Sequence, residues 1–559
     1  MKKYIAILLS TVLMASCTSD YEKFNTNPNK LTYGSVGPLA MLENITVAGS
    51  NSLASYMLEW ANDIAQVSGS AGSTVRLEHC YKLTQQYNTV WNRCYLQATN
   101  ARHMEQLAAA QSDGNSQAIA ITLRVYYLSI VTDLFGDVPY SQALRGAEGI
   151  TRPIVDSQKE VYEGMLADLE RANSLYDTAK PLSDTSKDKL FAGNTAKWQK
   201  FTNSLHLRLL NRVSGRNADF TPTVGERMAA IINNPTAYPV MESNDDNITV
   251  KFDGTATYYR NVFNQFDYST DNSFSGDHHL SEVVVNMMLF SDTDQSQCDP
   301  RINIYGTPRY TTSQVWPWQG TKPGCTTEYT KLPSAYDPAY NNGDVEAYLN
   351  YYTLCRDTNP NMLMCYDELL FIKAEAAMNG WIAGNAADYY NAAITASCKK
   401  WAPYGATAQQ PVAEGDKVEF RAVTITDAQI AALLERPEVA WNNTAKRLAE
   451  QKWLALYWVV GFQQYSEMRR TGYPECVIND GIAKNRFSIN AEGKSVFIAR
   501  CEYPQTAVAN NRANYEAALQ RMGTSTNDIV TPVWWSGQAI AKDAGTPWPH
   551  SFRTLTYQE

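Results

Sequence analysis

The chain has 559 residues, enough for one large domain or up to three or four smaller ones at roughly 150 residues each. With 44% hydrophobic and 19% charged residues, and with 13 Trp, 34 Tyr and 16 Phe, the composition is globular and excludes a disordered, collagenous or coiled-coil chain. A net charge of −9 and the lack of any Lys/Arg run longer than two argue against a nucleic-acid partner, and Lys399-Lys400 and Arg469-Arg470 read as solvated ends of helical patterns.

Lys2-Lys3 open the chain as a basic region, and residues 4–15 form an apolar stretch too short for a bilayer core that needs about 20 residues. The stretch closes on Met14-Ala15-Ser16-Cys17, small residues before a cysteine as in a bacterial lipobox. Residues 1–17 are therefore expected to be a lipoprotein signal peptide. Cys17 would be acylated, become the new N-terminus and anchor the mature chain to a membrane without spanning it. No later segment reaches 18 uninterrupted apolar residues, so no transmembrane helix is expected. Of the 10 cysteines, an odd number remains once Cys17 is lipidated, so at least one thiol is free; Cys365 and Cys398 fall on helical core patterns and are expected to be buried.

Helical periodicity dominates both ends. Ile119, Leu123, Tyr126, Ile130 and Leu134 recur at steps of three and four until Gly136 and Pro139 stop the pattern. Val161, Met165, Leu169, Ala172 and Tyr176 make a second stripe, and Trp198, Phe201, Leu205 and Leu209 a third, with Gly215 as its terminator. Between about 240 and 360 the pattern gives way to Asn, Asp, Thr, Tyr, Pro and Gly, with short runs such as Ile248-Thr249-Val250-Lys251-Phe252 that read as strands. Helices resume with Cys365, Leu369, Ile372 and Ala376, ended by Asn379-Gly380, then a partner over residues 386–399. A last stripe runs through Ala445, Leu448, Ala455, Val459 and Phe462. The expected fold is mainly α: tetratricopeptide-like helix pairs with an irregular, loop-rich subdomain of short strands. Residues 18–37 read as a tether and 38–559 as one domain, with its helical core at about 38–240 and 360–525 and a variable, ligand-binding subdomain at about 240–360.

No motif spells an enzyme. Gly493-Lys494-Ser495 lacks the first glycine of a phosphate loop, and there is no G-x-S-x-G, H-E-x-x-H, G-x-G-x-x-G or zinc-ligand spacing. His278-His279 reads as a loop hydrogen-bonder, and the carboxylates of Asp245-Asp246, Asp292, Asp294 and Asp299 as solvated loop acids without calcium-loop spacing. Neither a cofactor nor a metal site is expected. A glycosidase needs only two carboxylates placed in space, so a surface glycoside hydrolase stays open as an alternative, as does a peptide-binding or scaffold lipoprotein of helical-repeat type.

The aromatic residues of the middle segment are more informative. Tyr258, Tyr310, Trp316-Pro317-Trp318, Tyr329 and Tyr336 sit among Gly, Pro and Thr, where core periodicity is absent. Trp and Tyr faces stack on the C–H faces of sugar rings while polar neighbours satisfy the hydroxyls. In an extended segment the indoles at 316 and 318 face opposite sides, so one can pack inward while the other faces out. The expected ligand platform is Trp316 or Trp318 with Tyr310 and Tyr258, edged by Arg260, Asp63 and Arg76.

Several segments resemble one family. Thr132-Asp133-Leu134-Phe135-Gly136-Asp137-Val138-Pro139-Tyr140, KWQKFTNSLHLRL from Lys197, ELLFIKAEA from Glu368 and QQYSEMRRTGYP from Gln463 are similar, in order, to the SusD/RagB family of Bacteroidetes outer-membrane lipoproteins. So are Phe24-Asn25-Thr26-Asn27-Pro28-Asn29 and Tyr503-Pro504, and the acidic residues Asp20 and Glu22 behind Cys17 resemble that group's surface-export signal. The resemblance implies the helical fold above and an outer-membrane, lipid-anchored protein facing the cell exterior. It also implies oligosaccharide or polysaccharide binding, occasionally peptide, beside a SusC-like TonB-dependent transporter. The shared motifs are structural: a helix stop at Phe135 to Pro139 and helix core from Glu368 to Ala376.

Overall fold

The fold is built from helices that the residue pattern starts and stops. In the computed structural model, which describes residues 36–69, 86–255, 259–263, 279–291, 293–321, 346–475 and 497–536, the chain opens with a helical run over 38–64. That run contains α1 (Gly49–Tyr56). It is followed by α2 (Gln86–Ala110), α3 (Gly114–Phe135), α4 (Gln158–Leu175), α5 (Thr195–Arg212) and α6 (Val224–Ile232). Asp113 caps α3 by accepting the Ser116 N–H at 3.0 Å, and Gly136 ends it with φ 87°, a backbone angle that a side chain would oppose. Capping boxes start α4 (Ser157 with Glu160) and α6 (Thr223 with Glu226), and Asn194 caps α5.

Consecutive helices pack as hairpins: α2 on α3, α3 on α4, α4 on α5. The C-terminal half repeats the plan with α7 (Glu282–Met288), α8 (Tyr366–Met378), α9 (Ala386–Trp401), α10 (Asp427–Glu435), α11 (Ala445–Ala455), α12 (Gln463–Thr471) and α13 (Arg512–Arg521). There α8 packs on α9 and α11, and α8 also meets α5, which joins the halves into one apolar core. Helix α3 is long and apolar enough to cross a membrane by length and composition, yet its whole apolar window is buried inside the protein. Within it Arg124 pairs with Glu105 (3.2 Å) and Asp168 (3.0 Å).

The last sequence stripe is interrupted. Helix α11 stops at Ala455, and Val459 instead forms a parallel bridge with Met362, while Trp458 and Phe462 adopt left-handed backbone angles of 62° and 63°. Short strands make the irregular part: β1 (Ser68–Gly69), β2 (Ile248–Val250), β3 (His279–Leu280), β4 (Gly306–Thr307), β5 (Tyr348–Leu349), β6 (Asn361–Met364), β7 (Gln410–Glu414) and β8 (Lys417–Arg421). They form an antiparallel sheet in the order β1-β3-β5-β4 and two ribbons, β2-β6 and β7-β8.

Several charged residues read as solvated are instead interior. Arg469 is fully buried, its guanidinium 4.0 Å from the Tyr465 ring centroid and donating to Ala499 O at 2.9 Å. Arg470 bonds Glu375 (2.7 Å) and Glu467, which also receives Lys452 at 3.1 Å. Burial alone would raise the Glu467 carboxyl, but Arg470 and Lys452 outweigh it and hold it far below the usual range. Lys400 is buried on Asp367 (2.6 Å), Asp246 is buried on Lys200 (2.8 Å), and Asp299 is buried against Arg301. His279 lies in β3 within 3.2 Å of Glu346 and is not a loop residue. Between the halves, Arg208 of α5 grips both oxygens of Glu368 of α8 at 2.7 and 2.6 Å. The described cysteines, Cys365 and Cys398 among them, are free thiols.

The motif residues serve the scaffold. Asp137 accepts the Gln158 N–H at 2.8 Å, and the Tyr503 hydroxyl donates to Asp137 O at 2.7 Å, so the stop after α3 is tied to the C-terminal segment.

Candidate functional site

Two hairpins meet on the irregular subdomain. The first spans residues 309–316. Trp316 N–H donates to Arg309 O and Thr311 N–H to Gln314 O, each at 2.8 Å, and Tyr310 bridges Val315. The second is β7-β8, paired from Gln410↔Arg421 to Glu414↔Lys417. Val418 N–H donates to Thr312 O at 3.1 Å and fastens one hairpin to the other.

Aromatic rings collect at that junction. Tyr310 meets Phe420 edge-to-face (5.0 Å, 85°), Tyr352 lies 5.7 Å from Phe420, and Tyr351 stacks on Tyr352 (4.1 Å, 30°). Phe420 is 37% exposed, and it is the aromatic member of the exposed large hydrophobic residues among those described. Thr311, Thr312, Ser313 and Gln314 are exposed beside it and supply hydroxyl and amide groups. Burial pushes the Tyr310 hydroxyl above its usual range against the opposing hydrogen bond with Tyr351, so the phenol stays protonated and able to donate at neutral pH.

The two tryptophans face opposite ways. Trp316 is half-buried, whereas Trp318 is 6% exposed and packs inward, and the Trp318 backbone N–H donates to Gln295 Oε1 at 2.8 Å. Gly306 makes room for it: a Cβ there would lie 3.1 Å from the Trp318 ring and 3.0 Å from Tyr348 O. Trp318 is thus core, and Trp316 is the indole able to present a face.

The structure separates the other expected residues. Asp63 is 2% exposed and accepts the Ser68 hydroxyl at 2.6 Å at the start of β1. Strand β1 and strand β4, which leads into the first hairpin, are opposite edges of the four-stranded sheet, about 14 Å apart at the usual strand spacing. Arg260 is exposed on a separate segment, its Nε donating to Gly254 O at 3.2 Å. Tyr258, Arg76, Tyr329, Tyr336 and Cys17 lie outside the described residues. Phe420 and Tyr352 were missed, although Glu414-Gly415-Asp416-Lys417 between two alternating runs is a hairpin signal.

Paired helices forming one core, with short strands and hairpins that carry a partly exposed ring cluster edged by polar side chains, define a helical-repeat scaffold. A family profile described as "Starch-binding associating with outer membrane" matches residues 28–504. The chain belongs to this SusD-like family. Solved structures share the fold. A chitin-binding protein aligns at TM-score 0.69 with 24% identity, over 90% of this chain and 100% of its own. A SusD homologue from Bacteroides fragilis aligns at 0.69 with 24% identity (88% and 100%), and one from Parabacteroides distasonis at 0.71 with 18% identity (90% and 98%). No curated protein matches the chain.

Proposed function

We propose that the protein is a non-catalytic glycan-capture lipoprotein, anchored in the outer membrane through Cys17 and facing the exterior, that passes oligosaccharide to a SusC-like TonB-dependent transporter. The observation that carries the reading is the exposed Phe420 ring set on Tyr310 and Tyr352 beside a polar hairpin. Open ring faces with hydroxyl and amide neighbours suit sugar rings, and each contact is weak enough that affinity rises with chain length. The family's description as starch-binding and a structural relative that is a chitin-binding protein support a carbohydrate ligand. Trp316 is included in the platform, with Arg260, Arg76 and Tyr258 as further contacts for long chains.

The helical hairpins offer broad packed faces for the transporter and leave the irregular subdomain to the ligand. Calorimetric titration with malto- and chito-oligosaccharides of increasing length tests capture: affinity should rise with length, and bound sugar should be recovered uncleaved. Gentle detergent extraction should yield a complex with a TonB-dependent barrel, and a lone species would refute the partnership.

A further inference from the structure

A cleft of about 1190 Å³, a volume that holds several sugar rings, is lined by none of the residues of the aromatic cluster. Its floor is the β2-β6 ribbon. One wall is the segment 188–197 that leads into α5, and the other is the end of α9 with the turn after it. Five lysines line it, Lys189, Lys197, Lys251, Lys399 and Lys400, against two acids, Asp188 and Asp245, in a chain whose net charge is −9.

With Lys400 set against its buried partner Asp367, the lining still holds four lysines against Asp188 and Asp245, an excess of positive charge. Asp188 is buried and its carboxylate is already occupied by the N–H groups of Leu190, Phe191 and Gly193 and by the Trp198 indole at 2.8–3.1 Å. Lys400 is neutralised by Asp367 at 2.6 Å. The remaining lysines have only long carboxylate contacts. Lys189 is 3.9 Å from Glu43 and Lys399 is 3.4 Å from Asp427, while Lys197 donates to the Asp245 carbonyl at 2.6 Å and lies 4.0 Å from the Asp246 carboxylate, whose main partner is Lys200. Lys251 is exposed with no ion-pair partner among the described residues. Exposed pairs at such distances contribute little, so an incoming anion can take over their ammonium groups. A cleft lined by one sign of charge concentrates its field on a ligand of the other.

The rest of the lining fits a sugar. Ile248 and Val250 of β2 point into the core, so Thr249, and Lys251 in step with it, face the cleft. Tyr404 contributes a half-buried ring. Lysines spread around the cleft match anionic groups spaced along a chain better than a single phosphate, for which one cluster of donors would suffice.

Building on the glycan reading above, we propose that this cleft binds acidic oligosaccharide, with uronate carboxylates or sulfate esters on Lys189, Lys197, Lys251 and Lys399, at a site separate from the aromatic surface. Titration of the full detergent-solubilised chain with tetragalacturonate, its methyl ester, a chondroitin sulfate tetrasaccharide and inorganic sulfate tests it. At least one acidic tetrasaccharide should bind tenfold or more tighter than the uncharged ester. That binding should weaken tenfold or more in Lys189→Gln/Lys251→Gln and fall with added NaCl, while neutral oligosaccharide binding is unchanged in the same variant. Equal binding of acid and ester, or wild-type acid binding by the double variant, overturns the proposal. So does equal competition by inorganic sulfate, or acid binding that is lost in Phe420→Ala. If neutral sugars bind and acidic ones do not, only this inference fails; if neither binds, the glycan reading itself fails.

Discussion

Trp318 and Phe420 should separate stability from binding. Trp318 is 6% exposed and packs on β4, so Trp318→Ala leaves a cavity that costs about 3–5 kcal/mol. At about 2.1 cal/mol/K per residue, a cooperative unit of 559 residues has an unfolding entropy of about 1.2 kcal/mol/K, so the loss lowers the melting temperature by about 3–4 °C. Phe420 is 37% exposed and meets two rings, each contact worth about 0.5–1.5 kcal/mol, so Phe420→Ala should lower the melt by about 1–3 °C. Its effect on oligosaccharide affinity should be larger: losing an exposed anchor ring costs about 1–3 kcal/mol, a drop of roughly 5- to 160-fold. Calorimetric titration and thermal melts of both variants, with Trp316→Ala alongside, give the comparison. Phe420→Ala binding at wild-type affinity, or Trp318→Ala melting at the wild-type temperature, would refute the assignment.

Breaking the buried Arg208–Glu368 pair by Glu368→Gln should cost about 3–5 kcal/mol, and Arg208→Met/Glu368→Met should recover much of it, as read from denaturant midpoints. Glu450 has its carboxyl pushed up to about 7 by burial, so its stabilising contribution is present below the unfolded value near 4.5 and is lost as pH rises through 7. Glu450→Gln should therefore remove up to about 3 kcal/mol of the stability decline between pH 5 and pH 8, and a pH profile parallel to wild type would count against this. Glu375 and Glu467, held low by their cationic partners after burial is overcome, stay ionised across that window. Cys17→Ala should release the protein from the membrane fraction and abolish acyl labelling; unchanged labelling would refute the lipobox.

The helix pairs were legible because apolar residues at steps of three and four, with Gly136 and Gly380 as stops, are local signals; α8 and α9 lie where those signals put them. The buried charges were not legible, since Arg470 finds Glu375 across 95 positions and Arg208 finds Glu368 across 160, and a lone arginine at a helix end looks solvated without its partner. Helix α11 was overextended for a related reason: Val459 keeps the apolar step but is claimed by Met362 from another strand. At the site, the opposed faces of Trp316 and Trp318 followed from their spacing, whereas which one turns inward depended on the bare backbone of Gly306. Phe420 was hidden because its strand, Lys417-Val418-Glu419-Phe420-Arg421, has an ordinary alternation whose outward ring gains neighbours only when the first hairpin docks beside it.

Helix α3 bears on how such a chain would cross the inner membrane. A polypeptide exported through a translocon, as proposed for this one, is threaded past the inner membrane before it folds, and a 22-residue helix of span-like composition is a segment on which transfer can halt. Arg124 lies at its centre, where an arginine disfavours insertion by about 2.5–3.5 kcal/mol, and Asp133 lies near its end, where the cost is smaller. In the finished protein Arg124 is held by Glu105 and Asp168, and Asp133 by Arg212 and the Tyr162 hydroxyl. The two ions that knit the helix into its bundle thus also discourage it from lodging in the lipid during secretion.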